Sequence, residues 1–155
     1  MTFDFGWLGC IYLLAVAWPL TRIDLREQRL PNRLTLPLFP IAIFGQVSAV
    51  LLGVEISRFL TALLAAVLAF AACLALNRYA GLGMGDVKLI SGMTLALGWF
   101  SPMLPAVALL IAVVTAGVYA LLMLALGKTR MGSSMPLGPF LLFGFVLSLI
   151  AQGWS

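Results

Sequence analysis

The sequence predicts an all-α bundle of about six transmembrane helices in a single domain spanning residues 1–155. Three observations carry this expectation. The chain is 63% hydrophobic and 9% charged, against about 45–50% and about 25% in an ordinary soluble domain. Its mean hydropathy of +1.15 leaves too few polar groups to cover a soluble fold of this size. Apolar runs close to the roughly 20 helical residues needed to cross a 30 Å bilayer core recur along the chain. This composition excludes a disordered chain, a nucleic-acid-binding protein and the soluble enzyme classes.

The expected spans lie at 5–21, 34–54, 59–77, 87–101, 104–126 and 138–153. The first is not a cleaved signal peptide. Its start carries Asp4 and no Lys or Arg, and Arg22, Arg26, Arg29 and Arg33 form a stop-transfer flank. In the second, Pro37 and Pro40 bend the helix or delay its regular start. The third carries Ala62, Ala65, Ala66, Ala69, Ala71 and Ala75, whose small side chains suit a close helix interface. The fourth is short and follows a glycine-rich loop. The sixth begins at Gly138 and Pro139, with proline at an allowed first-turn position. The connections are short, and no linker or convincing internal repeat is visible.

Charge placement sets the expected topology. Arg22, Arg26, Arg29 and Arg33 follow span 1, Arg78 and Lys88 flank the turn between spans 3 and 4, and Lys128 and Arg130 lie between spans 5 and 6. With six spans these eight of nine basic residues share one side. That side is expected to be the cytoplasm, where anionic lipid headgroups are the partner of the arginine-rich face. Both termini, Glu55 and Arg58 are then outside.

The chain has no His, which removes a Ser-His triad, an HExxH zinc site and a histidine proton shuttle. Cys10 and Cys73 form no CxxC pair. No metal or cofactor is expected. Five carboxylates remain, and two of them, Asp24 and Asp86, fall at the same membrane edge in this topology. Two carboxylates brought close cannot both ionise easily, so the pair retains a proton. That arrangement suits amide hydrolysis: one carboxylate takes a proton from water while its protonated partner polarises the carbonyl.

If residues 22–30 continue the first helix, Arg22, Arg26 and Arg29 form a stripe toward lipid phosphates. Asp24 then lies about 200° from Arg22, facing the bundle. The plainer alternative is a solvated loop charge. Asp86 closes the run Gly81-Leu82-Gly83-Met84-Gly85-Asp86, where alternating glycines disfavour helix and leave bare backbone for a peptide to approach. Its plainer alternative is an N-cap of span 4, compatible with the first. Lys88 is expected to point away from Asp86 toward the headgroups.

Three stretches together resemble the type IV prepilin peptidase family, membrane aspartic proteases of the GxGD class. They are Asp24 to Leu38, with Pro31-Asn32 and Leu34-Thr35-Leu36-Pro37; Gly83-Met84-Gly85-Asp86-Val87-Lys88-Leu89; and Met135-Pro136-Leu137-Gly138-Pro139-Phe140-Leu141. Their order and spacing match that family from span 1 to span 6. The resemblance implies Asp24 and Asp86 as the catalytic pair at the cytoplasmic face of a bacterial or archaeal inner membrane. It implies removal of the short basic leader of type IV prepilins or pilin-like proteins, whose hydrophobic helix stays in the bilayer. Gly83, Gly85, Lys88, Pro31, Asn32, Gly138 and Pro139 are then expected around the active-site loops and the substrate's approach. Larger bacterial members carry an N-terminal segment with paired CxxC motifs and also N-methylate the new terminus. This sequence has no CxxC, so the resemblance is to the short form, with no recognisable methyl-donor site.

Pro31 and Asn32 form either a turn that positions Asp24 or a simple loop-to-helix junction. The stretch Gly127–Met135 is a candidate gate by composition. The competing readings are another di-aspartate membrane protease, and a small proton-coupled transporter or assembly factor. A lipoprotein signal peptidase places its site on the outer side with four spans, and a presenilin-like enzyme places both aspartates inside the spans. Transport favours carboxylates near the bilayer midplane, and those here lie at the edge. A Ser91–Lys88 dyad is disfavoured because Lys88 is expected at the headgroups.

Overall fold

A computed structural model describes residues 4–127 and 136–153. Among them the regular structure is helical, with no strand. A 3-10 turn, Phe5–Trp7, leads into α1 (Leu8–Glu27), followed by α2 (Asn32–Thr35), α3 (Leu38–Leu51), α4 (Ile56–Ala80), α5 (Met84–Gly98), α6 (Leu104–Ala125) and α7 (Gly138–Gly153). Among the described residues four segments are long and apolar enough to cross a membrane: Phe5–Glu27, Asn32–Leu51, Ile56–Ala80 and Leu104–Ala125.

Local chemistry explains most boundaries. α1 stops where Gln28 turns left-handed at φ 50, and its N–H bonds the Asp24 carbonyl at 2.9 Å. The arginine stripe is therefore corrected. Arg22 and Arg26 sit on α1 with exposed side chains, Arg22 over the Trp18 ring. Arg29 and Arg33 lie beyond the helix end. Pro37 delays the second span as expected, since α2 ends at Thr35 and Pro37 becomes the N-cap of α3.

α5 is the hub. It packs against α4 most extensively, and also against α1, α2, α3, α6 and α7. Every residue from Leu89 to Gly98 is buried. Its 15 residues span only about 22 Å, less than a bilayer core. The fourth span is thus short, as the sequence suggested, and is walled by protein. Its last turn is held by polar groups from two other helices. Gln46 Nε2 donates to the Leu95 carbonyl at 2.8 Å, and the Cys10 thiol donates to the Ala96 carbonyl at 3.7 Å. Those carbonyls lie where helix ends lack intrahelical partners.

The main core gathers Cys10, Leu13, Leu20, Val87, Leu89, Met93, Leu97, Leu141 and Phe145. A smaller cluster joins Ala42, Ala62, Ala66 and Leu95. The alanine stripe on α4 therefore packs through Ala62 and Ala66, whereas Ala71 and Ala75 are exposed. Such close backbone approach is the main source of helix association in lipid, where apolar burial alone gives little. The outward faces of α4 and α6 carry exposed Leu60, Leu64, Leu110 and Val113. Away from Asp24 and Asp86, the carboxylate of Asp4 accepts from Trp99 Nε1 at 3.1 Å, and Asp4, Glu55 and Arg58 line one pocket.

Candidate active site

Asp24 lies in the last turn of α1 and is 4% exposed. The expectation that it faces the bundle holds. Its Oδ2 accepts the backbone N–H of Gly138 at 2.9 Å. Gly138 opens α7, so this N–H is one of the donors a helix start leaves unpaired, and it lies at the positive end of the helix dipole. A Cβ on Gly138 would lie 2.7 Å from Asp24 Oδ2. A side chain there would displace the Asp24 carboxylate.

Asp86 reaches the same region from another direction. α4 ends at Gly81 with φ +73, and Leu82 N–H reaches back to the Leu76 carbonyl. The Gly81 N–H bonds the same carbonyl, and this left-handed closure turns the chain at the helix end. Asn77 Nδ2 donates to the Leu82 carbonyl and fixes the turn further. Gly83 is then the N-cap, and Met84, Gly85 and Asp86 form the first turn of α5. Two expectations are corrected here. Asp86 is not the N-cap, and the Gly85 backbone is helical rather than extended and bare. Gly85 is covered by the chain's own Leu30: a Cβ at Gly85 would come 2.7 Å from the Leu30 Cβ. The glycine lets the loop after α1 press onto the start of α5. Gly83 gives the Asp86 carboxylate its room, since a Cβ there would meet Oδ2 at 2.8 Å.

Lys88 Nζ donates to Asn32 Oδ1 at 2.7 Å. This bond ties the first turn of α5 to the start of α2, instead of leaving the ammonium directed only to headgroups. The Ser91 hydroxyl donates to its own helix at the Val87 carbonyl, so neither side chain of the considered Ser-Lys pair bonds the other. Pro31 is the N-cap of α2 and accepts the Leu34 N–H, which makes this a loop-to-helix junction. Pro139 is the second residue of α7, as the sequence suggested. Neither proline lines the cleft.

The cleft has a volume of about 300 Å³, and its polar lining includes Asp24, Asp86, Gln28, Arg29, Asn32 and Lys88. The Asp86 carboxyl is pushed up to about 6, first by burial and then by the negative charge of Asp24. The two carboxylates therefore titrate as a pair. A pair holding one proton is equipped to deprotonate water and polarise a carbonyl together. Among the described residues no group of three His, Cys, Asp or Glu side chains is placed to hold a metal ion.

Sequence reasoning missed Gln28, Leu30 and Arg29 as lining residues. Gln28 carried a usable signal, four residues after Asp24 on the same helical face. Arg29 was assigned to the lipid stripe because the helix was carried past its end. The proposed gate, 127–135, lies outside the described residues except for Gly127.

The model of the type IV leader peptidase family matches residues 7–121, a stretch containing both aspartates and ending before Gly138. The chain belongs to that family. This leader peptidase family member is accordingly of a protease family, built on a membrane helical bundle. No curated protein and no solved structure matches it.

Proposed function

We propose that this protein is a membrane aspartic endopeptidase. It removes the short basic leader of type IV prepilins or pilin-like proteins at the cytoplasmic face. The observation that carries this reading is the convergence of Asp24 and Asp86 on one cleft, with the charge of Asp24 raising the Asp86 carboxyl.

In this reading one carboxylate removes a proton from water, and the protonated partner donates to the scissile carbonyl. The C–O bond forms as the carbonyl becomes a tetrahedral diol. The C–N bond then breaks, with a proton passing from the pair to the departing amine. Gly138 N–H holds Asp24 oriented throughout, and the Gly85–Leu30 contact with the Lys88–Asn32 bond keeps the two bearing segments in register. Arg22, Arg26, Arg29 and Arg33, which cluster around Asp24 in the chain, support a cytoplasmic location through the positive-inside rule.

The test is co-expression with a prepilin from the same genome. Asp24→Asn and Asp86→Asn should each abolish leader cleavage while the protein still inserts. Substantial cleavage by either inserted variant would overturn the two-aspartate mechanism.

A further inference from the structure

The cleft that holds Asp24 and Asp86 also carries two cations. Asp24 is buried in it, and Asp86 is half-buried on the first turn of α5. Arg29 and Lys88 line the same space, Arg29 exposed and Lys88 half-buried. Arg29 stands just past the end of α1, next to the Leu30 that packs on Gly85. Lys88 follows Asp86 on α5, and one of its ammonium hydrogens goes to Asn32 Oδ1.

Neither cation is spent on the aspartates. Among the described residues Arg29 and Lys88 form no ion pair. Burial and the charge of Asp24 push the Asp86 carboxyl up, where a cation in contact would hold it down. With one proton on the pair, these four side chains leave the cleft with a net positive charge. Two cations would repel the basic side chains of a leader, so recruiting the leader is not their use. Hydrolysis makes the group that they attract. Water adds its oxygen to the carbonyl carbon, and the C–N bond breaks. The membrane-anchored side leaves as an amine and takes up a proton. The leader side leaves as a carboxylic acid and gives one up, since a terminal carboxyl titrates at about 3.3–3.7. That carboxylate is born against Asp24 and Asp86, which repel it, and the opposite charges in the same cleft are Arg29 and Lys88.

We infer that Arg29 and Lys88 form a subsite for the new C-terminal carboxylate of the excised leader, so that the leader is a product inhibitor recognised by that charge. This inference rests on the peptidase reading above. The Arg29 guanidinium offers paired N–H donors that match a carboxylate. The Lys88 ammonium keeps further hydrogens beyond the one on Asn32, and that bond fixes where it stands.

The experiment uses the full-length protein in nanodiscs of phosphatidylcholine, whose headgroups carry no net charge and so do not compete as anions. A prepilin-type substrate is cleaved in the presence of its synthetic leader, ending either in the free carboxylate or in a carboxamide. The carboxylate form should inhibit at about tenfold or more lower concentration, the advantage of charge-assisted hydrogen bonds. In a protein carrying both Arg29→Gln and Lys88→Gln, the two forms should inhibit within about threefold of each other. A merely structural loss weakens both leaders alike and leaves their ratio standing. Binding of fluorescently labelled leaders reads the same ratio in a variant too slow to assay. Equal inhibition by the two forms in the wild type, or inhibition by neither, overturns the inference. So does a double variant that keeps the wild-type ratio. Wild-type protein that cleaves no prepilin before any leader is added overturns the peptidase reading itself, an outcome distinct from cleavage that ignores the leader's charge.

Discussion

Asp86 is asked to ionise at a partly buried helix start beside Asp24. Its carboxyl lies at about 6, above the roughly 3.9 of a free aspartate. Ionisation therefore weakens the fold. The stabilisation from the neutral carboxyl is full below about pH 4 and is lost as pH rises through about 6. The melting temperature of the detergent-solubilised protein should fall between about pH 4.5 and 7, and Asp86→Asn should remove most of that slope. Leader cleavage should decline above a midpoint at or above about pH 6, because the pair then loses its shared proton. At Gly138 the constraint is steric as well as polar. Gly138→Ala sets a methyl 2.7 Å from Asp24 Oδ2, and prepilin processing should drop about tenfold or more with insertion unchanged. Activity near wild type in that variant would show that the Asp24 carboxylate can clear the methyl without losing its productive position.

Helices place these groups through their ends. α1 delivers Asp24 one turn before Gln28 stops it, α7 delivers its first N–H, and the Gly81 turn delivers Asp86 on the first turn of α5. α7 holds its position by resting against α6. At Gly144 a Cβ would lie 2.2 Å from the Ala108 carbonyl oxygen, and a backbone atom cannot yield as a flexible side chain would. Gly144→Ala should destabilise the protein by about 1–3 kcal/mol, although alanine is the better helix former by about 1 kcal/mol. A thermal melt in detergent checks this, with Val113→Ala on the exposed face of α6 as the neutral control. Processing should fall with stability in Gly144→Ala, because a displaced α7 carries Gly138 away from Asp24.

Among the described residues two sets of charged groups lie in separate pockets. Asp24, Asp86, Arg29 and Lys88 line one cleft, and Asp4, Glu55 and Arg58 line another pocket beside Leu52. α4 is 25 residues long, about 37 Å of helix, and separates Leu52 from Tyr79. If the arginine-rich end is cytoplasmic, a cysteine at Tyr79, which is 88% exposed, should react with a membrane-impermeant thiol reagent only in inverted vesicles. A cysteine at Leu52, 71% exposed, should react only in intact cells stripped of their outer layers. Cys10 and Cys73 are buried and keep the background low. The reverse labelling pattern would place the cleft outside and remove the prepilin reading.

Much of this was written in the chain. Apolar run length set the helical class and the span positions, because a bilayer accepts little else than helices of fixed length. Scarcity of charge singled out Asp24 and Asp86, since so few polar groups were present to act. Pro37 and Pro139 marked helix starts through their fixed φ and missing N–H. The sequence did not reveal where α1 ends, since Gln28 takes a left-handed conformation that no local signal demanded. It did not reveal that Gly85 faces Leu30 rather than solvent, that Lys88 holds Asn32, or that Gly138 donates to Asp24. Each of these joins segments far apart in the chain. Local propensity reads the neighbours along the backbone, whereas a hydrogen bond across 114 positions exists only once the helices have packed around α5.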